Sequence, residues 1–147
     1  MREMDDLIFK KVWEDETMFE MNITLQTNYI IVNQNFYMTE KIIEDLSYNI
    51  YEYISHYNEN KEIIIIGHAS VEKAPIIKMK LHPANMTGQV KIDVYFAYDE
   101  TDDHVYYCER TITTSLGSLS IFAEYLQYVV YKEVGYKVCL NSFNSGE

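Results

Sequence analysis

The fold is decided by residues 19–57, FEMNITLQTNYIIVNQNFYMTEKIIEDLSYNIYEYISHY, because the spacing of apolar side chains changes partway along this stretch. Every second residue from Phe19 to Leu25 is apolar, a pattern typical of a strand with one buried face. Thr27-Asn28 predicts a reversal, and residues 29–37, rich in β-branched and aromatic side chains, predict a returning strand.

A helix follows the two strands. From Ile42 to Tyr57 the apolar side chains fall on one stripe at helical spacing, with Thr39 as the expected N-cap. A second amphipathic helix is expected after Gly117, with Ser118 as its N-cap and Gly135 at its end.

The other apolar segments predict strands. Residues 7–13 form a short one, with Leu7, Phe9 and Trp13 on one face and Lys10 on the other. Further strands are expected at 61–67, 77–82, 90–96, 104–114 and 136–140. Short hairpin loops connect most of them, which indicates antiparallel pairing. The predicted fold is α+β, with a mainly antiparallel sheet of about six to seven strands and two amphipathic helices packed on one side.

Length and composition predict a single globular domain over residues 1–147, with a frayed tail at 141–147. The first residues, MREMDD, are acidic where a secretion signal is basic and then apolar. No segment reaches the ~20 apolar residues of a membrane span. These features favour a cytoplasmic protein.

The formal net charge of −11 bears on the kind of partner. Such a charge repels nucleic-acid phosphates and anionic membranes and attracts basic proteins. We therefore expect a basic protein partner, with no nucleic acid and no membrane. Solubility alone is the alternative explanation of the charge, and the sequence leaves it open.

Candidate catalytic residues lack the neighbours that their chemistry needs. His68 follows an isoleucine-rich strand but has only Ser70 and Glu72 near it in sequence. The loop from Asp99 to His104 carries four carboxylates without the ligand order of a calcium loop, so a solvated turn is favoured over a cation site. Two cysteines, Cys108 and Cys139, are expected to be buried thiols. We predict no enzyme activity, no cofactor and no metal.

The helix faces opposite the apolar stripes combine carboxylates with tyrosines. Tyrosine supplies a large contact area at low entropic cost, and carboxylates pair with Lys or Arg of a partner. The predicted partner-binding residues are Glu44, Tyr48, Tyr51, Glu52, Asp99, Glu100, Asp102, Asp103, Glu124 and Tyr131. The alternative, that these rings pack on their own helices, stays open.

Four segments between Phe19 and Val130 resemble a known family. They are Asn35-Phe36-Tyr37, the helix Thr39–Tyr57, the hairpin Thr87-Gly88-Gln89-Val90-Lys91-Ile92, and the stretch from Thr113-Thr114-Ser115-Leu116 through Ser120-Ile121-Phe122 to Leu126. This arrangement is similar to the small acidic immunity proteins of bacterial polymorphic-toxin and contact-dependent growth-inhibition systems. The resemblance implies a cytoplasmic, non-enzymatic inhibitor that occludes the active site of a toxin, often a nuclease with a basic cleft.

The sequence thus favours a non-catalytic protein-binding module, an immunity protein if the resemblance holds. Two alternatives remain. One is a small enzyme or ligand-binding domain with a pocket between sheet and helices, using His68 or the loop from Asp99 to His104. The other is an oligomerising structural subunit.

Overall fold

The fold is that of a computed structural model, which describes residues 5–57, 61–66, 75–85, 87–101 and 104–142, with only the backbone of 61–66, 99–101 and 104–106. In this part of the chain there are eight strands and two helices. The strands are β1 (Asp6–Glu14), β2 (Phe19–Gln26), β3 (Ile31–Met38), β4 (Lys61–Ile66), β5 (Ile76–Pro83), β6 (Gln89–Thr101), β7 (His104–Ser115) and β8 (Lys137–Cys139). The helices are α1 (Glu40–Ser55) and α2 (Leu116–Tyr128).

The strands form two sheets, in the orders β3-β2-β1-β8 and β4-β5-β6-β7, and all pairs are antiparallel. The predicted α+β class and antiparallel pairing are confirmed, and the single sheet of six to seven strands is wrong. Hairpin loops fix which neighbours in sequence pair with each other, but α1 separates β3 from β4. After α1 the chain begins a second sheet instead of rejoining the first.

One core lies between the inner faces of the two sheets and the two helices. The rings of Phe36 on β3 and Phe96 on β6 lie 6.2 Å apart, which brings the sheets together. Phe9 on β1 meets Phe122 on α2 edge to face at 5.4 Å. The helices pack on each other, and the buried Ser47 hydroxyl donates to the Ala123 carbonyl at 3.2 Å.

The chain after β8 ties the two sheets together. The Asn141 side chain donates to the Asp5 carbonyl at 2.8 Å and to the Thr113 carbonyl at 3.0 Å, and it accepts from the Thr114 hydroxyl at 2.7 Å. The buried Asp6 carboxylate accepts from the Asn141 backbone N–H at 2.8 Å. The start of the predicted frayed tail is therefore hydrogen-bonded, and residues 143–147 lie outside the described part of the chain.

Helix α2 begins earlier than expected. Ser115 is its N-cap and accepts from the Ser118 N–H at 3.0 Å, so the prediction of Ser118 as N-cap is wrong. Gly117 lies within the first turn instead of before it. The sequence offers two serines three residues apart, and either could cap a helix. The hairpin register decides between them, because Gln89 pairs with Ser115 and ends the strand there.

A β-bulge in β1 changes which way Trp13 points. Lys11 pairs with Met21 but Trp13 pairs with Glu20, so Val12 is an extra residue on this strand. Strict alternation would put Trp13 on the buried face, as the sequence predicts. With the extra residue, Trp13 joins Glu20 on the outer face and is 42% exposed, so that prediction is wrong.

The same bulge brings two charges together on the inner face. Lys11 and Glu14 are three residues apart, a spacing that places side chains on opposite faces of a regular strand. With the extra residue, Glu14 pairs with Phe19 on the inner face, and its Oε1 lies 2.6 Å from Lys11 Nζ. The ammonium also lies 5.3 Å from the centre of the Phe19 ring.

Lys11 is buried, with 1% of its side chain exposed. It hydrogen-bonds to backbone carbonyls at the end of α2. Its ammonium donates to the carbonyls of Val129 at 3.1 Å, Val130 at 3.3 Å and Lys132 at 2.9 Å. The last carbonyls of a helix lack partners within it and carry the negative end of its dipole. A cation placed there satisfies both the hydrogen bonds and the charge.

Lys11→Met should lower the free energy of unfolding by about 3 kcal/mol, because one buried and two partly buried carbonyls and Glu14 lose a charged donor. Urea denaturation measures this. Lys10→Met is the matched control, since Lys10 is exposed on the other face and its loss should cost no more than about 0.5 kcal/mol. Equal stability of the two variants would contradict the capping role.

Tyr53 on α1 makes the free energy of unfolding depend on pH in the alkaline range. It is buried, its hydroxyl has no hydrogen-bond partner among the described residues, and burial raises its pKa to about 12. An unfolded tyrosine ionises near pH ~10. Between these pH values the unfolded chain has lost the proton and the folded chain has kept it, so stability falls as pH rises from 10 towards 12.

Tyr53→Phe should remove this contribution, which amounts to at most about 1.4 kcal/mol per pH unit. Urea unfolding across that alkaline range, compared with the parent chain, tests it. Tyr29→Phe serves as control because Tyr29 is 92% exposed and its hydroxyl meets water in both states. An alkaline slope unchanged by Tyr53→Phe would rule out the buried hydroxyl as its cause.

Candidate functional site

The candidate site is the exposed surface where α1 and α2 lie side by side, here called the α1–α2 surface. Buried residues at helical spacing, such as Ile43, Leu46 and Ile50, hold α1 on the core and turn its other face to solvent. On α2 the buried residues Leu119 and Phe122 do the same. The α1–α2 surface consists of Glu40, Glu44, Tyr48, Tyr51, Glu124, Tyr128 and Tyr131.

At one end of this surface Tyr131 stands beside two carboxylates. Its hydroxyl donates to Glu40 Oε2 at 3.3 Å, and its side chain is 77% exposed. The Glu40 carboxylate raises the pKa of Tyr131 above its usual value, and Glu44 adds to the effect. A phenol held neutral beside carboxylates can donate a hydrogen bond while the acids attract a cation.

At the other end, Tyr51 lies between the two helices. Burial raises the pKa of its hydroxyl, and the nearby Glu124 and Tyr128 raise it further. Tyr128 is 42% exposed, and its ring lies 6.2 Å from that of Tyr125. Tyr51 is half-buried, so it forms the floor of the surface, while the exposed Glu124 and Tyr128 form its rim.

The tertiary structure thus brings together five of the predicted binding residues. These are Glu44, Tyr48, Tyr51, Glu124 and Tyr131. Glu52 is half-buried one residue beyond Tyr51 on the same helix. The predicted binding residues do not include Glu40 and Tyr128, which the packing of α1 on α2 adds to the surface. The signal was available, because Glu40, Glu44 and Tyr48 follow one another at a spacing of four.

The predicted acidic loop is described only in part. Asp99 and Glu100 lie in β6, with only their backbone described, and Asp102 and Asp103 lie outside the described residues. β6 runs from Gln89 to Thr101, which at ~3.3 Å per residue is about 40 Å. The C-terminal end of α1 meets the far end of this strand, where the Tyr57 hydroxyl donates to the Gln89 carbonyl at 2.6 Å.

Histidine chemistry is the other kind of site considered. His68 lies outside the described residues. Across the outer face of the second sheet, His82 Nε2 lies 3.1 Å from Asp93 Oδ2, and the Thr111 hydroxyl donates to Asp93 Oδ1 at 2.6 Å. A nucleophile must contact its base, but here the hydroxyl and the imidazole both bind the carboxylate. The arrangement is that of a cross-strand polar cluster.

Metal sites and membrane-spanning helices are two further features to consider in the described residues. In those residues, no group of three or more His, Cys, Asp or Glu side chains could hold a metal ion. Neither of the helices in that part of the chain has the length and apolar character to cross a membrane. Cys108 on β7 and Cys139 on β8 are thiols and form no disulfide with each other.

The site is therefore a carboxylate- and tyrosine-rich protein surface on an α+β fold. No protein-family model matches the chain, and no curated protein matches it. Among solved structures, the chain is similar to a chain of the "CdiA-CT/CdiI toxin and immunity complex from Enterobacter cloacae", at 12% identity and a TM-score of 0.49. The similarity covers 81% of this chain and 96% of that one.

The two thiols should differ in reactivity. Burial raises the pKa of Cys139, and the nearby Asp6 raises it further, so less thiolate is present at neutral pH. Cys108 is only half-buried. Iodoacetamide should alkylate Cys108 at least about tenfold faster in the folded protein, and peptide mass spectrometry measures both rates. In denaturant the two rates should converge, and equal rates in the folded state would contradict the prediction.

Proposed function

We propose that this chain is an immunity-type protein, a non-catalytic cytoplasmic inhibitor that binds a basic toxin domain through the α1–α2 surface. The observation that carries the proposal is the grouping of Glu40, Glu44 and Glu124 with four tyrosines on one exposed surface. Aromatic residues anchor protein interfaces, and carboxylates around them pair with lysine and arginine.

A nuclease is the toxin class that fits this surface best. A nuclease binds phosphates with lysine and arginine. A row of carboxylates can pair with those same cations in place of the phosphates. Glu40 and Glu44 lie one helical turn apart, about 6 Å, which is close to the spacing of successive phosphates on one strand. A partner bound in this way has its substrate cleft occluded, and no chemistry is required of the inhibitor.

The distribution of charge supports an oriented encounter. The net charge is −11, yet Lys78, Lys80 and Lys91 are all exposed on the outer face of the second sheet, away from the core. In contrast, α2 has no lysine, and the one lysine of α1, Lys41, is exposed but paired with Asp45 at 3.3 Å. A basic partner is therefore attracted to the molecule and turned towards the helices, which raises the association rate at low salt.

The test is binding to purified basic toxin domains, beginning with the C-terminal domain of any large secreted protein that is encoded beside this chain. We expect a dissociation constant well below ~1 µM that weakens as salt is raised, and protection of cells that express the toxin. Glu44→Lys and Glu124→Lys should each weaken binding at least about tenfold, which corresponds to about 1.4 kcal/mol.

Glu109→Lys is the matched control. Glu109 is also exposed, but it lies on the outer face of the second sheet, and its replacement changes the net charge by the same amount. It should weaken binding less than about threefold. Equal losses in all three variants would show that net charge alone attracts the partner. Absence of binding to any basic toxin domain would overturn the proposed function itself.

A further inference from the structure

The outer face of the first sheet carries an aromatic pair with a carboxylate beside it, here called the Trp13 corner. The rings of Trp13 and Tyr37 lie 6.2 Å apart at an interplanar angle of 89°. They are 42% and 45% exposed, so the pair leaves much of its aromatic surface in water. The bulge in β1 is what turns Trp13 to this face.

Glu20 supplies the charge of the corner. It lies on the middle strand and pairs in register with Trp13 on one side and Tyr37 on the other. Its Oε2 accepts from the Asn35 side chain at 3.1 Å, and Asn35 in turn accepts from Asn22 at 2.6 Å. Within the described part of the chain, Glu20 Oε1 has no hydrogen-bond partner. The carboxylate is therefore oriented by amides, and one oxygen is available.

Two nearby carboxylates, Glu14 and Asp15, are occupied within the chain. Glu14 pairs with Lys11 at 2.6 Å on the other face of the strand. Asp15 accepts from the backbone N–H groups of Thr17 at 2.8 Å and Met18 at 2.9 Å, and these bonds lower its pKa. Glu20 is thus distinct from Glu14 and Asp15, whose carboxylates have partners within the chain.

An edge-to-face aromatic pair with a carboxylate on the strand between its two residues matches one kind of ligand group. A cation within about 6 Å of a ring centre is attracted by the ring face, and a carboxylate adds a charged hydrogen bond. This chain makes such contacts elsewhere, since Lys78 lies 5.8 Å from the Tyr95 ring centre and Lys132 lies 5.8 Å from that of Tyr136. Among the described residues, no lysine or arginine lies over Trp13 or Tyr37.

We infer that the Trp13 corner receives a lysine or arginine side chain of the basic protein partner. The inference rests on the proposed function and extends it to a second contact. Tyr37 precedes Glu40 of the α1–α2 surface by three residues, a distance of at most about 11 Å along the chain. One partner can therefore contact both, with a cationic side chain in the corner and the rest of its basic surface on the helices.

Trp13 is the only tryptophan of the chain, so its fluorescence reports on the corner directly. The probe is hexa-arginine peptide, with hexa-glycine as the uncharged control. Hexa-arginine should shift or quench the emission in a saturable way, and hexa-glycine should not. Emission unaffected by hexa-arginine at any concentration overturns the inference.

Matched substitutions separate the corner from net charge. Glu20→Gln should weaken hexa-arginine binding about fivefold, whereas Glu109→Gln, which removes the same charge elsewhere, should weaken it less than twofold. Tyr37→Ala should weaken binding as Glu20→Gln does, and Tyr107→Ala, at a tyrosine that is 72% exposed on the other sheet, should not. Equal effects of Glu20→Gln and Glu109→Gln would overturn the inference.

The same variants, measured against the toxin domain, distinguish this inference from the proposed function. Loss of affinity in both Glu20→Gln and Glu44→Lys supports both. Full affinity in Glu20→Gln and Tyr37→Ala, with loss in Glu44→Lys, overturns the corner and leaves the proposed function standing. If the parent chain binds no toxin domain, the proposed function fails, and with it the corner's role in holding that partner.

Discussion

The contact between Lys11 on β1 and the chain that follows α2 connects the first sheet to this helix. The ammonium donates to three carbonyls between Val129 and Lys132. The backbone of Lys11 also bonds to this connection, donating to Tyr136 and accepting from Gly135, whose φ of +103° favours glycine. This one residue therefore ends α2, directs the turn after it and leads the chain into β8.

The bulge beside Lys11 determines what each side of β1 presents. The inner side gains Glu14 as a partner for the buried ammonium of Lys11. Without this partner, the desolvation of the ammonium would cost far more free energy. The outer side gains Trp13, which meets Tyr37 next to the last residue of β3. A single inserted residue, Val12, thus produces both the buried ion pair and the exposed aromatic corner. The proposed second contact with a partner is therefore a consequence of the same bulge.

The acidity of the chain has a spatial pattern that its net charge does not reveal. Carboxylates gather on the α1–α2 surface, where Glu40 raises the pKa of Tyr131, and burial together with Glu124 raises the pKa of Tyr51. Exposed lysines occupy the outer face of the second sheet. Because attraction at long range depends on net charge and docking depends on local charge, the two features act at different stages of binding.

The sequence by itself determined the α+β class, the hairpins, the start of α1 at its Thr39 cap and the face of α1 that meets solvent. Each of these depends on side chains close together in the chain, which the apolar spacing records directly. Only the tertiary structure decided that the strands form two sheets, that Trp13 points outwards and that Lys11 caps α2. Pairing across α1, the bulge at Val12 and a hydrogen bond spanning 118 residues leave no periodic signal in the sequence. The same division holds for the candidate site, since helical spacing predicted most of its residues, and the packing of α1 on α2 made them one surface.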